Sequence, residues 1–144
     1  MKGIEAITAK VADKEWLQKA KSAMGELAKP TVPYERLEFY KVEAGNVLIA
    51  KVLREREGTG KKGPYDFIDV EVLRTGNLET SELSEELAGK KFTVDIGGHV
   101  QMRREMEKLK PLENKVLAIG NKGVITGKGK LGAFRKYDYK VVEL

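Results

Sequence analysis

From Asp13 the chain reads DKEWLQKAKSAMGELAK, with Trp16, Ala20, Ala23 or Met24, and Leu27 returning every three or four positions. That spacing predicts an amphipathic helix over 13–28, with Asp13 as its cap and Pro30 and Pro33 of KPTVPYE ending it. After the prolines the period changes. NVLIAKVLRER, residues 46–56, is a nearly continuous apolar run that ends in charge and reads as a long strand. EGTGKKGP, residues 57–64, is a turn, and YDFIDVEVLR, residues 65–74, alternates. Ile68, Val70 and Val72 share one face; Tyr65, Phe67, Asp69, Glu71 and Leu73 share the other. The two segments form a hairpin.

The polar, acidic stretch TGNLETSELSEELAGK connects to KFTVDI, a third strand carrying Phe92, Val94 and Ile96 on one side. HVQMRREMEKLK then places Val100, Met102, Met106 and Leu109 on one helical stripe, and Pro111 stops it. KVLAIG and VIT make a fourth strand turned or bulged at NKG; GKGKLG, residues 127–132, is a loop; AFRKYDYKVV is a fifth strand. Three strands, a helix and two further strands are the order of a five-stranded, partly open barrel of the OB type. The expected fold is therefore mainly β with helices: an OB-like barrel at 34–144, preceded by a helical extension and connector at 1–33.

Composition narrows the function classes. The 144 residues are 41% hydrophobic and 34% charged with four prolines, which is globular and suits one domain. The absence of cysteine removes disulfides and thiolate chemistry. No apolar run approaches the ~20 residues that span a bilayer, and none resembles a leader, so a cytoplasmic protein without a membrane partner is expected. Charge is unevenly spread. Residues 76–98 carry two lysines against five carboxylates, whereas 99–144 carry eleven basic groups against five acidic ones, within a formal net charge of +5. Such separation can orient a polyanion.

Candidate chemistry follows the loops. Single-stranded nucleic acid needs cations for its backbone and rings for its bases. Arg54 and Arg56 end the first strand, Lys61 and Lys62 sit in the glycine turn, and Arg74 closes the second strand. Lys122, Lys128, Lys130, Arg135 and Lys136 populate the last hairpin. Tyr65 with Phe67, Phe134, and Tyr137 are the ring candidates; Tyr137 and Tyr139 share a face that could be core or platform. Arg103 and Arg104 have Glu105 and Glu107 beside them and read as a solvated helix face.

Enzymatic signatures are thin. His99, the single histidine, follows two glycines at a helix start, where capping, packing or simple exposure outranks catalysis. Neither lysine–glycine loop has P-loop spacing, and Asp66, Asp69 and Glu71 lack a following lysine at nuclease spacing and read instead as pairing with Arg54, Arg74 or neighbouring lysines across the hairpin. No enzyme, no cofactor and no metal are expected.

The lead-in FYKVEAGNVLIAKVL, the run KPLENKVLAIGNKGVITGKG after the helix, and the aromatic final strand FRKYDYKVV together resemble the small OB-fold single-stranded DNA-binding proteins, many of them from bacteriophages and mobile elements. The likeness spans roughly residues 37–144. It implies sequence-tolerant binding of single-stranded DNA in replication, recombination or repair, at the nucleoid or on replicating viral DNA. The residues themselves leave RNA open as a ligand. They also leave open a structural or protein-interaction OB-like domain, partnered by a second copy or a replication or recombination protein. A metal-dependent nuclease is the remote alternative.

Overall fold

The computed structural model describes residues 3–22, 37–61, 63–129 and 132–144, and side chains there except at 60, 63–65, 127–129 and 132–136. Among these residues the chain forms a mixed α/β domain. Its elements are α1 (Ile4–Val11), α2 (Glu15–Ser22), β1 (Asn46–Gly60), β2 (Gly63–Asn77), β3 (Leu83–Ser84), β4 (Lys91–Asp95), α3 (Val100–Glu107), β5 (Val116–Gly129) and β6 (Gly132–Glu143). The strands make one antiparallel sheet in the order β3-β2-β1-β5-β6, with β4 also paired to β2. None of the three helices is long and apolar enough to cross a membrane.

The apolar runs in β1 and β5 follow from burial on both faces. Leu48, Ala50 and Val52 of β1, with Leu117 and Ile119 of β5, enter the main core beside Ile68, Val70, Val72, Val94, Met102, Met106 and Tyr139. Val47, Ile49, Val116 and Ala118 point the other way, under Ile4, Ile7, Val11 and Leu17 of α1 and α2. The helix expected at 13–28 is present as α2, and its part beyond Ser22 lies outside the described residues. A second helix, α1, precedes it: Ile4, Ile7 and Val11 all lie on its buried side. Lys51 is enclosed between sheet and helices, and its Nζ donates to the Ala20 carbonyl near the end of α2 at 2.7 Å.

Irregularities in register shape the sheet. β1 shifts between Ile49 and Ala50 and again between Val52 and Arg54, and β5 shifts between Asn121 and Val124. Such bulges turn a strand and increase its twist. Gly76 of β2 lets the short β3 close on it. A Cβ there would lie 2.8 Å from the Glu82 carbonyl oxygen and 2.9 Å from Leu83 Cδ2.

The expected barrel is not formed. Closure would need a ladder between β4 and β6, and among the described residues none exists. Two elements fill that gap. Residues 38–40 run parallel to β4, with Thr93 N donating to Glu38 O at 2.8 Å and Tyr40 N to Thr93 O at 2.9 Å. On the other side α3 lies against β6, sending Met102 and Met106 into the core and pairing Glu105 with Lys140 at 3.5 Å. The fold is an open, unclosed sheet covered by helices, not an OB barrel.

Candidate functional site

The unclosed gap holds a cleft of about 250 Å³. One wall is the segment Phe39, Tyr40, Lys41 and Val42; the other is Val94 and Asp95 at the end of β4. His99 and Met102 close it from α3, and Tyr139 of β6 closes it from the far side. The cleft exists because the parallel bridge between Phe39 and Thr93 is a single pair. Beyond it the segment turns away toward β5, where Asn121 holds it: Asn121 Nδ2 donates to Val42 O at 2.9 Å, and Gly45 N donates to Asn121 O at 2.7 Å. Asn121 is fully buried, so this anchor is fixed by packing as well as hydrogen bonding.

Val42, Val94 and Met102 give the cleft an apolar floor. Its polar groups are partly committed to structure. Asp95 Oδ1 accepts from Gly98 N at 3.1 Å, which tightens the turn into α3. The His99 ring lies 5.0 Å from that of Tyr139 and 6.3 Å from that of Tyr137, and the two tyrosine rings meet at 6.0 Å in an edge-on arrangement. Lys41 Nζ sits 5.4 Å from the Tyr137 ring centre. Burial, reinforced by Tyr137, Glu43 and Asp95, pushes the Tyr139 hydroxyl up to about 12. Tyr139 is 1% exposed, and its ring belongs to the main core as well as to the cleft wall. Phe39 at 60% exposure and Val100 at 58% are the most exposed large apolar side chains among the described residues. The first lines the cleft and the second directly follows His99.

The residues expected to form a single-strand groove fall elsewhere and do not converge. Asp69 is buried and accepts from Arg54 Nε, from Arg56 Nη2 at 2.9 Å and from Thr93 Oγ1 at 2.6 Å. Burial alone would raise its pKa, but the hydrogen bonds from Thr93, Arg56 and Arg54 and the Arg56 charge outweigh it and hold the carboxyl below its ordinary value. Both arginines thus serve an internal ion cluster. Phe67 lies beside it, 5.5 Å from the Arg56 guanidinium and 5.4 Å from the Phe39 ring. Arg74 stacks 4.5 Å over Trp16 and pairs with Glu85 at 3.4 Å, joining β2 to the helical cover. Lys61 and Lys122 are exposed, and Tyr137 packs half-buried against the core. Lys62 and Lys130 lie outside the described residues; Tyr65, Lys128, Phe134, Arg135 and Lys136 belong to strands whose side chains there are not described.

The two lysine–glycine turns also part company. β1 and β5 pair antiparallel from Val47–Gly120 to Lys51–Val116. β1 then runs past Lys51 toward its turn while β5 runs past Gly120 toward the other, so the hairpins leave their shared ladder in opposite directions. Among the described residues no group of three or more acidic or histidine side chains could hold a metal, and Asp69 is already engaged by its arginines.

No protein-family model, curated protein or solved structure matches the chain. Together with the open sheet, this overturns the likeness to OB-fold single-stranded DNA-binding proteins and the functions argued from it. The assignment to single-stranded DNA binding in replication, recombination or repair falls with the barrel, as do its RNA, OB-like interaction and nuclease variants.

Sequence reasoning missed the cleft as a site. Phe39 and Tyr40 were visible as adjacent aromatics before the first strand and GGH as a histidine after two glycines. Nothing in either pattern says that they meet Tyr139.

Proposed function

We propose that the protein is a non-catalytic, protein-binding module whose cleft receives one large apolar or aromatic side chain from an extended segment of another polypeptide. The observation that carries this reading is the split between residues 39–42 and the end of β4: an apolar floor with the exposed Phe39 ring at its rim. At about 250 Å³ the cleft lies below the ~300–1,000 Å³ typical of small-molecule and cofactor pockets, and suits a single anchoring side chain. Interfaces commonly concentrate their binding energy on such anchors, with polar groups around them. Lys41, Asp95 and His99 supply that polar surround. A catalytic reading has less support, because burial disfavours Tyr139 as a base and Asp95 is used by its own turn. A cytoplasmic setting fits a chain without cysteine.

The test is a two-dimensional ¹⁵N NMR titration with the N-acetyl amides of phenylalanine, leucine and glutamate. The apolar probes should give saturable shifts at the amides of Lys41, Val42, Asp95 and His99, with dissociation constants near ~1 mM, or about −4 kcal/mol. Phe39→Ala should weaken both. Equal responses to the glutamate probe, or no saturation, would reject the reading.

A further inference from the structure

A second cleft, of about 320 Å³, lies next to the first. It opens where the start of β1 meets the end of β2 and β3, and Asn46, Thr75, Asn77, Glu82 and Ser84 give it a polar lining. Tyr40 lines both clefts and stands between them. Its position is fixed: its N donates to Thr93 O at 2.9 Å, and its ring meets that of Phe92 at 5.3 Å between centres.

The two clefts differ in character. The first has an apolar floor, whereas among the residues lining the second Glu82 is the only charged one, and it is exposed. The turn that carries it, residues 79–86, holds four carboxylates, Glu79, Glu82, Glu85 and Glu86, and no cation. Arg74 pairs with Glu85 at 3.4 Å and Lys10 Nζ donates to Ser81 O at 2.8 Å, so negative charge stays in excess there. Glu43 extends it to the border between the clefts, where burial, and after it that carboxylate, pushes the Tyr40 hydroxyl up. An apolar hole beside an acidic one complements a segment that carries an anchor and a cation. An extended chain points residues i and i+2 to the same side, about 6.5 Å apart. That step carries one side chain into each of two clefts flanking a single residue, and the flexible stem of a basic side chain takes up the remaining distance.

We infer that the two clefts form one docking groove for an extended segment of a partner polypeptide, in which a large apolar residue fills the first cleft and a basic residue two positions away is received by Glu82 in the second. The inference rests on the reading of the first cleft as an anchor site, and the experiment separates the two. The full chain is titrated, with ¹⁵N NMR detection at low salt, with the acetylated and amidated tripeptides phenylalanine–serine–lysine and lysine–serine–phenylalanine. The controls are the same peptides with alanine or glutamate in place of lysine. One of the two lysine peptides should bind roughly two- to fivefold more tightly than its alanine counterpart, the scale of a single exposed ion pair. It should shift the amides of Asn77, Leu83 and Ser84 as well as those of Lys41 and His99. The glutamate counterpart should bind more weakly than the alanine one, and Glu82→Lys should reverse the order of the lysine and glutamate peptides. Lysine peptides no tighter than alanine ones, shifts confined to the first cleft, or an order that Glu82→Lys leaves unchanged would overturn the inference while the anchor cleft stands. Binding of none of the peptides would sink both readings.

Discussion

Asp69 carries more of the strand surface than its size suggests. It sits 1% exposed between two guanidinium groups and a threonine hydroxyl, so its charge is an integral part of the β1–β2–β4 junction. Because its folded pKa is depressed, the stabilisation is complete above the unfolded value of about 4 and is lost as pH falls through the lower folded value. Tyr139 contributes at the alkaline end with the opposite sign. Its folded pKa is raised from 10.0 to about 12, so stability is complete below 10 and falls as the unfolded chain ionises between 10 and about 12. That interval corresponds to about 2 to 3 kcal/mol. Urea unfolding measured across pH should therefore show two limbs. Asp69→Asn should cost about 3 kcal/mol near neutrality, with the difference from wild type shrinking below about pH 4; Tyr139→Phe should shrink the alkaline limb, leaving the part that the raised Tyr40 and Lys110 supply. A gap between Asp69→Asn and wild type that is constant with pH would mean that the carboxylate charge is unimportant. Arg54 was legible in the sequence as one of several cross-hairpin partners for Asp66, Asp69 and Glu71, whereas Arg56 was legible only as a cation. The pairing depends on the shift between Val52 and Arg54 that brings Arg54 opposite Asp69, and no residue pattern announces that shift.

Among the elements, β1 and β5 were the most legible, because strands covered on both faces must read as continuous apolar runs. β2 was equally clear from its alternation: Ile68, Val70 and Val72 are buried as expected. α1 was missed although Ile4, Ile7 and Val11 already stand at helical spacing. Its weight in the fold is measurable. Ile7 is fully buried with Val11, Leu17, Val47 and Ala118, so Ile7→Ala should lower unfolding stability by about 2 to 5 kcal/mol. A loss under about 0.5 kcal/mol would show that the helical cover contributes nothing to the cooperative unit. What stayed hidden was closure. Whether β4 meets β6 is decided by what occupies the gap between them, here α3 and residues 38–40. Strand order alone is common to the open and closed forms.

At the scale of the whole molecule the sheet separates two environments. One side holds the main core and opens at the cleft; the other is sealed by α1 and α2. The single tryptophan, Trp16, belongs to the sealed side, stacked beneath Arg74. This gives the protein a built-in optical reporter for one side only. Tryptophan emission should stay constant when the cleft is filled and shift to longer wavelength when the helical cover lifts. In a denaturant series followed by both emission and far-ultraviolet circular dichroism, coincident midpoints would mean that cover and sheet unfold as one unit. An emission midpoint that comes first would make the cover a separate, earlier-melting layer.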